Sequence, residues 1–193
     1  MKVIFATSNL NKLKEVRAII PSCLIEFITL RELGDNDDVV EDGKTFEENA
    51  YIKAKHFFDK YNMPIMAEDS GICCSGLDGK PGIFSARYSG KGSKENNKKL
   101  IKELVGKPKY AYYYCAICYI DVNGKAHYFN GQTNGVIIEE ERGTNGFGYD
   151  PIFKSDELGV TFGEATEEAK NQISHRNRAL TKFYNYLKHE NNN

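Results

Sequence analysis

Short apolar runs alternate with amphipathic polar stretches along the first half of the chain, a pattern typical of strands alternating with helices. Thr45 and Glu48 have the spacing of a capping box, which predicts that a helix begins there. Pro21 predicts that the preceding helix ends at Ile20. The predicted elements are a strand at 3–7, a helix at about 10–20, a strand at 24–30, a helix at about 45–61 and a strand at 64–69.

The second half combines glycine-rich segments with one long apolar run. Residues 110–120 are apolar or aromatic at successive positions, which predicts a central strand covered on both faces. Asn123-Gly124 predicts a type I′ turn into a second strand within 125–138. The other predicted segments are a long surface loop at 76–92, a helix at 93–105, a glycine-rich loop at 142–153 and a helical region at about 166–188. Strand–helix alternation with one hairpin predicts an α/β fold with a mixed sheet and helices on its faces.

Size and charge restrict the class of protein. The 193 residues, 40% of them apolar, predict one catalytic domain with two lobes over 1–189 and a disordered tail at 190–193. A net charge of −1 argues against a duplex nucleic acid partner. No leader follows Met1 and no apolar run approaches ~18 residues, so we expect neither a signal peptide nor a membrane span, and a cytoplasmic protein.

Five cysteines are an odd number without the spacing of a disulfide framework, so we expect reduced structural thiols. Cys115 and Cys118 form a CxxC within a predicted strand. Three positions apart on a strand places them on opposite faces, which excludes a shared metal.

Glu68 and Asp69 follow a predicted buried strand and precede Ser70-Gly71. Ligand sites in open α/β sheets lie beyond the carboxyl ends of strands. Because successive side chains point to opposite faces, we expect one of the two acids to face inward or into a cleft. A carboxylate there suits a metal ion, a water molecule to be activated, or both.

The junction of the first strand and first helix is a candidate anion site. Its residues are Thr7, Ser8, Asn9, Leu10, Asn11 and Lys12. Short polar side chains, free backbone N–H groups, the helix dipole and a lysine favour an anion there. The alternative is ordinary N-capping by Ser8 or Asn9 with a solvated Lys12.

Two cations lie beside apolar arcs of predicted helices. Lys53 either extends to solvent or points its ammonium at phosphate or at Asp69. Arg176 precedes Leu180, Phe183 and Leu187 on an inward stripe. A guanidinium there needs a partner, either an ion pair or a bound ligand, and we favour the ligand.

Two further segments offer ligand contacts. Arg87 either contacts phosphate or sugar, or stacks on Tyr88 or Phe84. The segment Phe147, Gly148, Tyr149 and Asp150 either stacks on a base or packs its aromatic rings inward.

Several segments together resemble the inosine triphosphatase family, the pyrophosphatases for non-canonical purine nucleotides. They are TSNLNK, TFEENAYIKA, AEDSG, PGIFSARYSG, GTNGFGYDPIF and SHRNRAL, in the order of the family from residue 7 to residue 180. The resemblance implies an elongated mixed α/β fold with two lobes around a deep cleft, a homodimer, and Mg²⁺-dependent hydrolysis of ITP, dITP and XTP to the monophosphate and pyrophosphate.

The resemblance also implies roles for residues. Thr7 to Lys12 would hold phosphates with Lys53 near them, Glu41 and Asp69 would bind the metal, and Asp69 would accept the proton. Glu68 would be a supporting ligand, direct or through water. The substrate pocket would further include Ser70, Arg87, Phe147, Gly148, Tyr149, Asp150, Lys170, His175 and Arg176.

The residue chemistry agrees with that activity. A polyphosphate resists water because its charge repels nucleophiles, so a catalyst must neutralise charge and position water. Arg176 only donates, so it suits a 6-oxo group and not the 6-amino group of adenine. The rival functions are a pyrophosphatase for pyrimidine or other modified nucleotides and a nucleotide-binding module without turnover.

Overall fold

A computed structural model describes residues 1–190 of the chain. It has an α/β fold in which six strands form one mixed sheet with the order β2-β1-β3-β4-β5-β6. The strands are β1 (Lys2–Phe5), β2 (Glu26–Thr29), β3 (Ile65–Cys74), β4 (Tyr110–Ile120), β5 (Ala126–Ile137) and β6 (Phe153–Ser155). β1 is parallel to both β2 and β3, whereas β5 and β6 are antiparallel, which confirms the predicted mixed sheet.

Within residues 1–190, five α-helices connect or follow the strands, and they lie in the four regions for which the sequence predicts helix. They are α1 (Leu10–Ile19), α2 (Phe46–Tyr61), α3 (Ser93–Glu103), α4 (Glu167–Ile173) and α5 (His175–Glu190). The predicted helical region at 166–188 is therefore two helices that meet at Ser174. Of the predicted tail at 190–193, Glu190 is the last residue of α5, and 191–193 lie outside the described residues.

Two sequence interpretations of loops were wrong. The predicted loop at 76–92 contains the 3₁₀ helix Gly82–Arg87. The turn after β4 is not type I′, because Asn123 is not among the described residues with positive φ, whereas Gly124 has φ +80°. The Asp121 carboxylate accepts hydrogen bonds from the backbone N–H groups of Asn123 and Lys125, which favours a different turn.

Contacts divide the chain into two compact units. The first unit contains Met1–Asp69, Cys115–Gly131 and the chain from Arg176 onward, and the second contains Ser70–Tyr114 and Gln132–His175. Each unit has its own apolar core. The core of the second unit includes Ile72, Leu100, Tyr113, Tyr149, Phe153 and Phe162.

The first unit packs helices on both faces of its strands. On one face, Val3 and Phe5 of β1 pack in a core with side chains of α1 and α5. On the other face, Ile4 and Ala6 pack in a core with side chains of α2. This alternation follows from the period of two along a strand, and it decides which helix each later residue of β3 meets.

The cysteines agree with the sequence interpretation. All five are free thiols, and only Cys23 is exposed. Cys115 lies in the core with α1 and α5, whereas Cys118 lies in the core with α2, so the CxxC pair occupies opposite faces as predicted. In the described chain, no helix combines the length and the apolar character needed to cross a membrane.

Candidate active site

Glu68 and Asp69 lie on β3 just past the point where its parallel neighbour β1 ends. The last residue pair of the two strands is Phe5 with Met66. The prediction that the strand ends at Asp69 was wrong, because β3 continues to Cys74 and its last residues pack in the core of the second unit. The acids nevertheless follow the carboxyl end of β1, which is where α/β sheets bind ligands.

The two acids point to opposite faces, as the period of two predicts. Met66 packs with α1 and α5, so Glu68, two residues later, faces the same helices. Ala67 packs with α2, so Asp69 faces that helix. Each acid therefore meets a different set of partners.

Glu68 is the centre of a buried ion-pair network. Its side chain is 1% exposed and receives two hydrogen bonds from Arg176, Nε to Oε2 at 2.8 Å and Nη2 to Oε1 at 3.0 Å. Lys12 Nζ lies 3.0 Å from Oε1, and the Cys115 Sγ lies 3.6 Å from Oε2. Two carboxylate oxygens offer about four lone-pair sites. These four contacts occupy that capacity, which argues against direct contact of Glu68 with a metal, the first of the two alternatives, while contact through water stays a prediction.

The same contacts set the protonation of Glu68. Burial raises the pKa of its carboxyl, but the charges and hydrogen bonds of Arg176 and Lys12 outweigh burial and bring the pKa well below its usual value. Glu68 is therefore an ionised, fully paired carboxylate. Arg176 is 1% exposed and also bonds Glu15 of α1 through Nη1, so the ion pair that the sequence left open is present.

Asp69 is in the opposite electrostatic state. Its Oδ2 accepts a hydrogen bond of 3.0 Å from the Asn49 side chain of α2. Burial is the main cause that raises the pKa of Asp69, and the Glu41 carboxylate raises it further. The hydrogen bond from Asn49 and the charges of Lys53 and Lys12 lower it, but the net shift is upward. A carboxylate with a raised pKa is a better proton acceptor than an ordinary aspartate.

Lys53 connects Glu41 with the main chain of Glu68. Its ammonium lies 2.8 Å from Glu41 Oε1 and donates to the main-chain oxygen of Glu68 at 3.1 Å. The side chain is only 16% exposed, so the solvent-extended alternative was wrong. Lys53 lies on α2, whose N-terminus is fixed by Thr45, since the Thr45 hydroxyl accepts a hydrogen bond from the N–H of Glu48.

The segment before α2 brings Glu41 to this place. The Gly43 N–H donates to Asn49 Oδ1 at 2.9 Å, while the other end of that amide holds Asp69. A Cβ at Gly43 would lie 2.7 Å from both Asn49 Oδ1 and Glu48 Cβ, so only glycine fits. Among residues 1–190, no group of three or more His, Cys, Asp or Glu side chains could hold a metal ion.

The segment Thr7–Lys12 contains the N-terminus of α1. Asn9, not Ser8, is the N-cap, and its side chain accepts hydrogen bonds from the N–H groups of Asn11 at 3.0 Å and Lys12 at 3.4 Å. The Thr7 hydroxyl accepts from the Asn9 N–H at 3.1 Å. Leu10 is 65% exposed, so it contributes no core packing. Capping is thus present, and the anion-binding role stays a prediction.

In the second unit, Asp150 organises the glycine-rich segment. Its Oδ2 accepts hydrogen bonds from Lys170 Nζ at 2.7 Å and from the Phe147 N–H at 2.9 Å. Its Oδ1 accepts a hydrogen bond from the Tyr113 hydroxyl at 3.1 Å. Gly146 has φ +72°, and a Cβ there would lie 2.0 Å from Asp150 Oδ2. Glycine is therefore required at that position for the loop to close on Asp150.

The aromatic side chains of this segment separate into two environments. Tyr149 packs inward, 5% exposed, and donates to the Ser85 main-chain oxygen at 2.7 Å. The half-buried Phe147 ring has Lys170 Nζ 4.9 Å from its centre. His175 stacks on Tyr113, with ring centres 4.7 Å apart and an interplanar angle of 8°.

The other predicted residues of the second unit are less buried. Ser70 is half-buried on β3. Arg87 is exposed and lies over the Phe84 ring at 5.2 Å, which is one of the two stacking partners considered.

The chain is similar to known proteins over nearly its whole length. A model described as the Ham1 family matches residues 3–186. The chain belongs to the Ham1 family. The resemblance to the inosine triphosphatase family is thereby confirmed, because Ham1 relatives are named dITP/XTP pyrophosphatase.

Two relatives illustrate the range of sequence identity. The dITP/XTP pyrophosphatase of Geobacter sulfurreducens is 43% identical over 191 residues, which covers 96% of each chain. That of Flavobacterium johnsoniae is 36% identical and covers 97% of this chain and 98% of the relative. Among solved structures, the Ham1 protein of Staphylococcus aureus has a TM-score of 0.89 at 35% identity, covering 98% of this chain and 100% of that one.

Four residues near the predicted ones in this Ham1 family member were missed from sequence. They are Glu15, Asn49, Tyr113 and Phe162. Glu15 could have been recognised from the sequence, because it lies three positions after Lys12 and hence on the same face of α1. So could Asn49, since it lies one turn after the cap Thr45, whereas Tyr113 and Phe162 look like ordinary core aromatics.

Proposed function

We propose that this protein hydrolyses non-canonical purine nucleoside triphosphates, namely ITP, dITP and XTP, to the monophosphate and pyrophosphate. The relatives that are named dITP/XTP pyrophosphatase support the substrate class. The observation that carries the chemistry is the environment of Asp69, a carboxyl with a raised pKa beside Lys53 and a second carboxylate, Glu41. A raised pKa makes a carboxylate a better base for water activation, whereas a module that only binds nucleotides has no use for it.

The reaction needs one proton transfer and one bond exchange. The oxygen of a water molecule forms a bond to phosphorus, the P–O bond of the α–β anhydride breaks, and pyrophosphate leaves with the bonding electrons. Asp69 accepts the proton of the attacking water, which its raised pKa favours. Lys12 and Lys53 supply positive charge to the phosphates, which lowers the repulsion that a nucleophile meets.

We propose Mg²⁺ as the metal. Mg²⁺ is commonly bound by one or two carboxylates together with substrate phosphates, so a larger protein cage is not required. Glu41 and Asp69 fit this need, because they are near enough for the charge of Glu41 to raise the pKa of Asp69. These two residues would hold Mg²⁺, which when bound neutralises phosphate charge. Glu68 is excluded from this set on the ground that its lone pairs are occupied.

We assign stacking on the base to the Phe147 segment of the second unit. Phe147, with the Lys170 ammonium under its ring, offers an aromatic face for a base. Asp150 fixes Lys170, so the ammonium has a defined position. Homodimer formation and a cytosolic location are further proposals that rest on the family resemblance.

A substrate panel tests the function directly. The protein is incubated with Mg²⁺ and ITP, dITP, XTP, ATP, GTP or dUTP, and pyrophosphate is separated from orthophosphate. We expect pyrophosphate from the first three and at least about tenfold less from ATP and GTP, because hydrogen-bonding sites reject mismatched polar groups strongly. Orthophosphate as the product, or equal turnover of ATP, would contradict the proposal. Turnover of dUTP alone would favour the pyrimidine rival, and ITP binding without any product would favour the binding module.

A further inference from the structure

Four charged side chains of the first unit form an alternating network. In order they are Lys12, Glu68, Arg176 and Glu15, that is, cation, anion, cation and anion. Lys12 and Glu15 belong to α1, Glu68 belongs to β3, and Arg176 occupies the first turn of α5. The four formal charges sum to zero, which is the condition under which such a network can be buried.

Glu15 is the member that neither the substrate nor the reaction requires. It is 7% exposed and bonds Arg176 Nη1, while Nε and Nη2 of the same guanidinium bond Glu68. A guanidinium is a rigid planar fork. Carboxylates on two of its sides therefore fix its orientation, and without Glu15 only Glu68 of this pair would hold it.

Arg176 influences the positions of Lys12 and Lys53 through Glu68. Arg176 binds Glu68 through two nitrogen atoms, which fixes the plane of that carboxylate. The orientation of Glu68 sets where Lys12 Nζ lies, at 3.0 Å from Oε1. The main-chain oxygen of the same residue accepts the hydrogen bond from Lys53. Glu15 is thus connected to Lys12 and Lys53, the two cations assigned to the phosphates. It belongs to α1, which packs on the face of the strands opposite to Asp69.

We propose that Glu15 is a positioning residue for triphosphate binding, acting through Arg176 and Glu68 on Lys12. The inference rests on the proposed function, since it takes Lys12 as a phosphate ligand. It makes a prediction opposite to that of simple electrostatics. Removal of a negative charge near a phosphate site should strengthen anion binding by charge alone, whereas loss of a positioning residue should weaken it.

The test is Glu15→Gln, which keeps the size of the side chain and removes its charge. Tripolyphosphate is the probe, with binding followed by calorimetry in the presence of Mg²⁺. We expect binding about tenfold weaker than in the unmodified protein, a size typical of coupling within a charged network. Glu26→Gln is the matched control, because Glu26 is a largely exposed glutamate of β2, and we expect it to leave binding unchanged.

Turnover of dITP separates positioning from general destabilisation. We expect Glu15→Gln to raise KM while the pH profile of kcat keeps its acid limb, because Asp69 lies on the other face of β3. In a Lys12→Gln background the same substitution should have a smaller effect, since its target is already absent. If Glu15→Gln does not fold, Glu15→Asp takes its place, with weaker tripolyphosphate binding than the unmodified protein as the expected result.

Equal or tighter tripolyphosphate binding in the Glu15 variant would overturn the role of Glu15. So would effects of the Glu15 and Lys12 substitutions that multiply independently. Failure of the unmodified protein to release pyrophosphate from dITP would instead count against the proposed function. The two failures are distinguishable because the unmodified protein is measured first.

Discussion

Glu68 and Asp69 are consecutive acids on one strand, yet their environments differ in almost every respect. Glu68 faces α1 and α5, where the Cys115 thiol contacts its carboxylate and where Arg176 and Lys12 outweigh burial and bring its pKa down. Asp69 faces α2, where burial, helped by the charge of Glu41, brings its pKa up in spite of the hydrogen bond from Asn49. The helix that each residue meets follows from the pleat of β3.

The difference suggests a division of work. A fully paired buried carboxylate stabilises the arrangement around it but has nothing left to offer a ligand. A buried carboxylate whose pKa burial has raised is costly to keep charged, and for the same reason it is ready to accept a proton or a cation. We therefore infer that Glu68 maintains the site and that Asp69 performs its chemistry.

The largest expected effect comes from Asp69→Asn. We expect turnover of dITP to fall by about 10²–10⁴-fold, the range for loss of a positioned general base. The variant should melt at a higher temperature than the unmodified protein, because it no longer buries a charge that burial disfavours. Steady-state kinetics and thermal unfolding check the two halves. Retention of more than a tenth of the activity would refute the assignment.

For Glu68→Gln we expect the opposite effect on stability, namely a lower melting temperature. Removing one partner of a buried ion pair costs about 3–5 kcal/mol, because the other charges remain buried without it. At about 2–4 °C per kcal/mol for a chain of this size, the melting temperature should fall by roughly 10 °C. Glu26→Gln is the control and should melt like the unmodified protein. A Glu68 variant as stable as that control would mean that the network contributes no stability.

The pH dependence of stability should distinguish the two acids by sign. The folded-state pKa of Glu68 is lowered, so its stabilisation is complete above its unfolded pKa, about 4.3, and is lost as pH falls toward the folded value. The folded-state pKa of Asp69 is raised, so its penalty is complete above the folded value and disappears below its unfolded pKa, about 3.9.

Unfolding in denaturant between about pH 3 and pH 8 measures both differences. At neutral pH, the unmodified protein should be more stable than Glu68→Gln and less stable than Asp69→Asn. Both differences in the free energy of unfolding should become smaller in acid. If the difference in the free energy of unfolding between the unmodified protein and Asp69→Asn grew as the pH fell, the pKa of Asp69 would not be raised.

Much of this arrangement was predictable from local sequence. The opposite faces of Glu68 and Asp69 follow from strand geometry, and the start of α2 follows from Thr45. The inward place of Arg176 follows from the spacing of Leu180, Phe183 and Leu187, which are all buried.

What the sequence could not supply was the choice of partner over long distances. Arg176 contacts Glu68, 108 positions away, and Glu15, 161 positions away, so the ion pair that competes with a ligand depends on tertiary structure. The end of β3 was misjudged for a related reason. Ser70-Gly71 resembles a strand terminus locally, but Ile72 and Cys74 continue into the core of the second unit.

The smallest expected effect tests what keeps Asp69 from being still more basic. Asn49→Asp removes the donor of the 3.0 Å hydrogen bond and adds a negative charge, and both changes raise the pKa of Asp69. The variant retains an oxygen that can accept from the Gly43 N–H, so the segment before α2 keeps that contact. We expect the acid limb of the kcat profile to move to higher pH by a measurable amount, while the rate on the plateau changes less than about tenfold, far less than for Asp69→Asn. A plateau rate that falls as far as in Asp69→Asn, with the limb in place, would mean that Asn49 acts on the substrate and not through Asp69.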